Sequence, residues 1–459
     1  MDVHISLDGR RDLAGQIYRQ LRAAILEGRL RPEDALPPTR ELARHLSVAR
    51  NTVSVAYDRL MGEGYLTGRA GSGTFVSSAG APAHTVTPGS ALRPRPLWAS
   101  IVPWPDRDNT DVRYDFRVGV PDTELFPHES WRRLLAREEP VHGYGNPAGH
   151  AGLRAAIARH IGVSRAVRTG PGDIVVTSGI QQALDLICRV MLEPGDRIAV
   201  EDPGYPPAQL LFQSLGAEVV RVPVDEEGLC VDALPDDARV VYVTPSHQFP
   251  LGVPMSLRRR TALLDWARRN QALIIEDDYD TEFRYGGRPI EPLQNLDSSG
   301  HVVYVGSFSK VMLPSLRIGF LVAPAPLRRA LRAAKYVSDW AAPMAAQAAL
   351  ARFIDEGLLA RHIRRMRREY QARHELLTTS LPAGLTLIPC SAGLHVTALA
   401  DEDPAPAVAR MRAEGVGIMT LAECSRSASA RPGLVFGYGA VTQEGIARGL
   451  DQVRACLAR

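Results

Sequence analysis

Lysine occurs twice in these 459 residues, at Lys310 and Lys335, within a pool of 54 Lys and Arg residues. Arginine replaces lysine in ion pairs and on solvated faces. Its delocalised, permanently protonated nitrogens do not condense with an aldehyde. A lysine kept in such a chain is a candidate for covalent chemistry with a carbonyl compound, and pyridoxal phosphate (PLP) is the natural aldehyde cofactor. Lys310 stands in Ser307-Phe308-Ser309-Lys310, directly after the apolar run Val302-Val303-Tyr304-Val305-Gly306. Lys335 stands in a basic, helix-like stretch and reads as a surface residue.

Other residue types that a phosphorylated pyridine ring needs recur along the chain. Thr177-Ser178-Gly179-Ile180-Gln181-Gln182 joins an apolar run to a helical stretch. Such a turn exposes backbone N–H groups to an anion, with the helix dipole behind them, although many turns of this composition hold no ligand. Tyr205 follows the next apolar run and can stack on a ring or pack under a loop. The group Glu276-Asp277-Asp278-Tyr279 closes a later run. A carboxylate there can bond a protonated ring nitrogen and the phenol can reach a ring oxygen; the bland reading is a solvated acidic loop. Lys310 follows Asp277 by 33 residues, at the next run. Ser307, Ser309 and Arg317 supply hydroxyls and a forked cation, which suit a phosphate monoester.

The elements that must hold these residues are legible as seven short, β-branched strand candidates. They cover residues 173–177, 197–201, 218–222, 240–244, 273–277, 302–306 and 319–322, with helical segments between them. Alternation of this kind predicts an α/β body with a mostly parallel sheet covered on both faces. Ligands of such sheets bind at the carboxyl ends of the strands, where the residues above fall.

The first 76 residues read differently. Leu13, Ile17, Leu21, Ala24 and Ile25 recur at helical spacing up to Gly28. Thr39 is expected to cap a short second helix over residues 40–46, with Glu41 in its first turn. A third helix runs over residues 50–63 with Val53, Tyr57, Leu60 and Met61 inward, and two short strands flank Gly71-Ser72-Gly73. Three helices and a hairpin predict a winged helix-turn-helix. Arg50, Asn51, Thr52 and Ser54 then lie at the exposed start of the recognition helix, suited to base edges and phosphates. Arg40 is placed for a backbone phosphate, and Arg69, Gly71 and Gly73 for the minor groove or backbone. A solvated polar face is the alternative.

The set Leu-Pro-Pro-Thr-Arg-Glu-Leu-Ala, Arg-Asn-Thr-Val and Gly-Ser-Gly-Thr-Phe-Val closely resembles the N-terminal domain of GntR-type bacterial regulators. From about residue 114 onward the chain resembles fold-type I PLP-dependent aminotransferases. The combination, with Thr244-Pro245-Ser246-His247-Gln248-Phe249-Pro250-Leu251-Gly252 and the stretch from Glu276 to Tyr285, is similar to the MocR subfamily. That resemblance implies that Lys310 carries PLP covalently, Asp277 holds the ring nitrogen, Tyr279 meets the 3-oxygen and Tyr205 stacks on the ring. It implies phosphate contacts from Gly179, Ile180, Gln181, Ser307 and Arg317. Tyr144, in Tyr144-Gly145-Asn146-Pro147, is expected to reach the phosphate of a neighbouring subunit, which implies a head-to-tail, domain-swapped homodimer. Two departures from working aminotransferases stand out. Phe249 replaces an asparagine that bonds the 3-oxygen. Gly433 stands where a substrate-carboxylate arginine is expected, with Arg431 the nearest substitute for contact with an amino-acid or amine effector.

The bulk properties fit this reading. A net charge of +3 permits a DNA partner without demanding one. Five scattered cysteines with no CxxC pair read as reduced, buried thiols, and no metal is expected. No signal pattern or 18-residue apolar run is present, so a cytoplasmic protein is expected. Residues 77–111, rich in Pro, Ala, Ser and Gly, read as a linker between domains at 1–76 and 112–459. The strongly basic stretch from Arg361 to Tyr370 is open between a solvated face and a second DNA contact. The function expected is a DNA-binding transcriptional regulator that responds to PLP or a PLP–amine adduct. The alternatives are a working aminotransferase with a DNA-binding head and a PLP store without regulation.

Overall fold

The computed structural model describes residues 5–9, 11–77, 93–101, 112–138, 143–286, 291–425 and 431–458. The chain divides into two compact units, residues 1–95 and 96–459. Of the expected linker, residues 78–92 and 102–111 lie outside the described residues; Pro96–Ser100 forms a short helix, α4.

In the first unit α1 (Leu13–Leu26), α2 (Thr39–His45) and α3 (Arg50–Gly62) enclose a core of Ile17, Leu21, Ile25, Leu42, Val53, Tyr57 and Leu60. The strands β1 (Ala35–Leu36), β2 (Leu66–Arg69) and β3 (Gly73–Val76) form a small antiparallel sheet in the order β1-β3-β2. The strand β1 is an addition to the expected hairpin. Thr39 is the first residue of α2 and not its cap; its hydroxyl accepts from Arg50 Nε at 3.3 Å. Glu41 occupies the first turn, as the dipole favours.

The second unit begins with β4 (Tyr114–Asp115), α5 (His128–Leu135) and α6 (Ala151–Arg165). Its main sheet holds β5 (Ile174–Thr177), β6 (Arg197–Asp202), β7 (Glu218–Asp225), β8 (Gly228–Leu229), β9 (Ala238–Val243), β10 (Leu273–Asp278), β11 (Val302–Ser307) and β12 (Gly319–Val322). The spatial order is β5-β12-β11-β10-β9-β6-β7-β8. The strands β7, β6, β9, β10 and β11 run parallel, β12 is antiparallel to both its neighbours, and β8 returns antiparallel on β7. All seven expected strands are present. The connecting helices are α7 (Ile180–Met191), α8 (Pro206–Ser214), α9 (Leu257–Asn270) and α10 (Leu293–Leu296).

Alternation along the strands sorts the side chains. Val175, Val200, Tyr242, Ile275, Val303 and Leu321 pack with Leu184 and Ile187 of α7 and Phe212 of α8. Val241, Val243, Ile274 and Val302 face Leu263 and Trp266 of α9. The helices α11 (Arg328–Ser338), α12 (Met344–Asp355) and α13 (Leu358–Thr379) lead to a smaller sheet. There β13 (Leu385–Leu387), β14 (His395–Ala400), β17 (Gly433–Gly437) and β16 (Met419–Thr420) lie in that order, with α14 (Ala405–Ala413) and α15 (Gln443–Leu457) alongside. The pair β15 (Val416–Gly417) and β4 is parallel. Among the described residues no helix is long and apolar enough to cross a membrane. All five cysteines are free; Cys188, Cys424 and Cys456 are buried, but Cys230 and Cys390 are only half-buried.

Candidate functional site

The carboxyl ends of β6, β9, β10 and β11 open on a cavity of roughly 290 Å³. The chain adds β7 outward of β6 and then returns to lay β9 on the other side of β6. Such a reversal leaves a crevice at the strand ends. Ile180, Gln181, Tyr205, Asp277, Tyr279, Ser307, Ser309, Lys310 and Arg317, nine of the residues singled out in the sequence, line this one cavity.

Lys310 donates from Nζ to the carbonyl of Gly119 at 2.8 Å. Asp277 shares its sheet face with Tyr242, whose hydroxyl donates to Oδ2 at 2.7 Å. Its Oδ1 is buried with no partner among the described residues. Burial pushes the Asp277 carboxyl up to about 7; the Tyr242 hydrogen bond and the Lys310 charge act against the rise, and Asp278 adds to it. An empty buried acceptor is costly. A cationic N–H donor placed at Oδ1 would relieve that cost and hold the carboxylate ionised.

Beside it, α7 begins without an acidic residue in its first turn. Gly179 caps it at φ 82°, a left-handed backbone, and a Cβ there would meet Arg317 Nη2 at 2.6 Å. Glycine thus lets the guanidinium lie against the helix start, where Nη2 donates to the carbonyl of Ser178 at 2.9 Å. Ser307 Oγ donates to Ser309 Oγ at 3.0 Å, and Gln181 Oε1 is buried without a partner among the described residues. Hydroxyls, a guanidinium and a helix N-terminus converge, which is a donor set for an anion.

Lys335 corrects the expectation of a surface residue. It is fully buried, and Nζ donates to Gln182 Oε1 at 2.7 Å and to Asp339 Oδ1 at 2.6 Å. Gln182 Oε1 also accepts from Ser178 N at 2.8 Å. The second lysine therefore braces the turn before α7 from behind. Its burial follows from Asp339, one turn along α11, which offsets the cost of the charge.

Both expected aromatic residues, Tyr205 and Tyr279, stand on the cavity wall, each with contacts of its own. The Tyr279 hydroxyl donates to the His247 carbonyl at 3.0 Å and lies 3.1 Å from His247 Nδ1. Tyr205 meets Phe249 edge-on at 5.8 Å. Sequence reasoning missed Tyr242, Asp280 and His395 on the wall. It also missed His247, whose Nδ1 contacts Asp280 at 2.9 Å and whose Nε2 lies 3.2 Å from Cys390 Sγ. Burial alone would lower the His247 pKa, but Asp280, with Cys390, holds it up at about 10. The stretch from Pro245 to Phe249 stands out only by its likeness to a family, and no spacing rule singles out its histidine.

Arg431 is not at the cavity. It is exposed, and Pro432 follows it with its carbonyl bonded to Ala400 N. In the β14–β17 register His395, on the wall, pairs with Gly437. Arg431 lies six residues back, about 20 Å of strand at 3.3 Å per residue. At Gly433 a Cβ would sit 2.8 Å from the Ala398 carbonyl, so the strand pair itself leaves no room for a side chain there. Tyr144 also lies off the wall, 77% exposed, with its ring 4.8 Å from Trp340.

In the first unit Arg40, Arg50 and Asn51 are exposed, and Thr52 and Ser54 are half-buried on the outer side of α3. Arg69, Gly71 and Gly73 are exposed around the β2–β3 turn. Arg69 pairs with Glu33 and lies over the Phe75 ring at 4.7 Å, so it is less available than the sequence suggested.

Comparison with known proteins agrees with both units. Residues 13–76 match the gntR family of bacterial regulatory proteins, and residues 114–431 match aminotransferase class I and II. A probable rhizopine catabolism regulatory protein, MocR, of Rhizobium meliloti is 37% identical over 96% of this chain and 92% of its own. This chain is a GntR-family regulator of the MocR type. Another member, the pyridoxine biosynthesis transcriptional regulator PdxR of Corynebacterium glutamicum, is 36% identical over 92% of this chain and 91% of its own. Among solved structures, kynurenine aminotransferase of Pyrococcus horikoshii, in a complex with PMP, superposes with a TM-score of 0.70. The identity is 28%, over 76% of this chain and 92% of that one. The α-aminoadipate aminotransferase LysN of Thermus thermophilus, complexed with N-(5'-phosphopyridoxyl)-L-leucine, gives 0.69 at 29% identity, over 76% and 92%. The second unit of this MocR-type protein thus has the fold-type I aminotransferase fold.

Proposed function

We propose that this MocR-type chain is a PLP-binding transcriptional regulator whose affinity for an operator in double-stranded DNA changes when PLP, or PLP joined to an amine, occupies the cavity. The observation that carries the reading is the unpaired, buried Oδ1 of Asp277 in the same cavity as Lys310 and the Arg317–Ser307–Ser309 donor set. These residues fit the cofactor: Lys310 for its aldehyde, Asp277 for its ring nitrogen, and Arg317, Ser307, Ser309 and the start of α7 for its phosphate. When bound, PLP supplies an aldehyde that condenses with amines and an electron-poor ring. The chain's own part would be to hold that ring, with Tyr205 as its stacking partner and Asp277 kept charged by the ring nitrogen. We assign PLP retention to this site, and reading of DNA to Arg40, Arg50, Asn51, Thr52 and Ser54.

The exposed rings of Tyr144 and Tyr336, packed on the half-buried Trp340, support a homodimer in which Tyr144 serves the partner's cavity. A cytoplasmic location accords with a DNA partner. Intact Lys310 and Asp277 favour, as a second reading, some aminotransferase chemistry. Phe249 and the crowded backbone at Gly433 weigh against efficient turnover, because a lost carboxylate anchor removes substrate orientation. The test is operator affinity measured with and without PLP, alongside half-reactions with a panel of amino acids. A PLP-dependent change in affinity with negligible turnover is expected. Turnover in the ordinary range of about 1–10³ s⁻¹, with PLP-independent DNA binding, would overturn the reading.

A further inference from the structure

On the opposite side of the main sheet a second, larger cavity of roughly 600 Å³ lies between α6, α13 and the segment after β10. Successive residues of β10 face opposite ways. Asp277 serves the first cavity, while Asp278 turns toward α6 and accepts from Arg165 Nε at 2.6 Å and from the Tyr304 hydroxyl at 2.6 Å. Arg165, with only 9% of its side chain exposed, also donates to Ser246 Oγ at 2.9 Å. Ion-paired and fixed at two ends, it forms a rigid wall of the second cavity.

The other walls are richer in guanidinium than in carboxylate. Arg364 and Arg367 stand one turn apart on the same side of α13, and Arg284 faces them from the segment after β10. None of the three has a carboxylate partner among the described residues. Arg159, at the rim, is already paired with Asp355 at 2.6 Å. The remaining carboxyl, Glu282, is pushed up to about 7 by burial, with Asp278 adding to the rise. Near neutral pH it is therefore partly protonated and able to donate. Arg364 and Arg367 are exposed at the mouth of this concavity and Arg284 is half-buried in it; an excess of positive charge lining a cleft concentrates anions. Val163, Ile354 and Ile363 give the cavity an apolar side. A solvated arginine face, the bland reading of this helix, would leave these cations spread round its outer surface and not gathered in a concavity.

We propose that this second cavity is a binding site for a small organic anion, held through its carboxylate or phosphate oxygens by Arg284, Arg364 and Arg367. Paired guanidiniums match the two oxygens of either group. The apolar side takes the ligand's short hydrocarbon part. The site is separate from the PLP cavity and does not depend on what that cavity binds.

Calorimetric titration of the full chain with inorganic phosphate, and separately with succinate, tests this, each against sodium chloride at matched ionic strength. Both titrations are repeated in an Arg317→Ala background, so that anion binding at the first cavity is told apart. At least one probe is expected to bind in that background, and the preferred probe tells a phosphate source from a carboxylate one. Arg364→Ala/Arg367→Ala should weaken that binding tenfold or more, and Arg284→Ala should weaken it from a different element. Arg361→Ala/Arg368→Ala removes the same charge from α13 outside the cavity and should change binding less than twofold. The proposal fails if neither probe binds beyond the chloride control. It fails equally if both double variants lose binding alike, which would mark a diffuse basic surface such as one suited to DNA.

Discussion

Replacing Asp277 with asparagine should affect the cofactor-free and the cofactor-loaded protein in opposite directions. The carboxyl is raised from 3.8 to about 7, first by burial. A group whose proton is held more tightly in the fold than in the unfolded chain costs stability at high pH. That cost is fully present above the folded value and absent below the unfolded one. At 1.36 kcal/mol per unit, the raised carboxyl costs on the order of 4 kcal/mol at pH 7.5 and roughly 2 kcal/mol at pH 5. Asparagine keeps an acceptor for the Tyr242 hydroxyl but leaves an amide without a partner where Oδ1 was, at about 1–3 kcal/mol. The net gain for the cofactor-free protein is then about 1–3 kcal/mol at pH 7.5, falling to about zero or a loss at pH 5. Urea unfolding of cofactor-free parent and variant at the two pH values, followed by tryptophan fluorescence and circular dichroism, measures this. Loaded with PLP, the variant should be the weaker binder, because a hydrogen bond to a charged group contributes about 1.5–3 kcal/mol. A variant equally destabilised at both pH values would refute the claim that Oδ1 waits for a cationic donor.

Three further outcomes are expected. Lys310→Ala should abolish a borohydride-trappable PLP adduct seen by mass spectrometry; an adduct that persists would have to sit on Lys335 or a terminal amine and would remove Lys310 from its role. Arg50→Ala should cost about 1–3 kcal/mol on the cognate operator and blur its base preference. Arg40→Ala should weaken all sequences alike and lower the salt slope by about one; operator binding untouched by both would sink the recognition-helix assignment. His247 is raised to about 10, so its stabilising charge is fully present below its ordinary value of 6.5 and is lost as pH rises toward 10. Asp280→Asn should flatten that stretch of the stability–pH curve, and an unchanged slope in thermal melts would contradict the ion pair.

Much of the fold was legible because each main strand is a short β-branched run ending in residues of a different character. Val302 to Gly306 followed by Ser307 and Lys310 is one case, Leu273 to Ile275 followed by three acids another. Both cavity-facing groups could be placed at strand ends from the order of residue types alone. What was not legible depended on long-range pairing. His247, Asp280 and Cys390 meet only because the loop after β9, the segment after β10 and the residues before β14 fold against one another. Lys335 looked solvated because a basic amphipathic helix gives no sign of which side an acid one turn on will close; Asp339 and Gln182 decide it. Arg431 failed as a substitute because strand register, invisible in one sequence, sets it far along β17 from His395. The β1 strand is two residues long and has no pattern of its own.

The burial of Lys335 has a consequence for the specificity of carbonyl chemistry on this molecule. Free pyridoxal phosphate, like any reactive aldehyde, condenses indiscriminately with accessible primary amines, and most proteins carry dozens of them. Here one of the two lysine amines is fully enclosed and neutralised by an acid, and the other lines the cavity. The exterior therefore offers aldehydes almost nothing to react with. Apart from a terminal amine, incorporation of label per chain, a quantity usually blurred by background modification, reports occupancy of a single pocket.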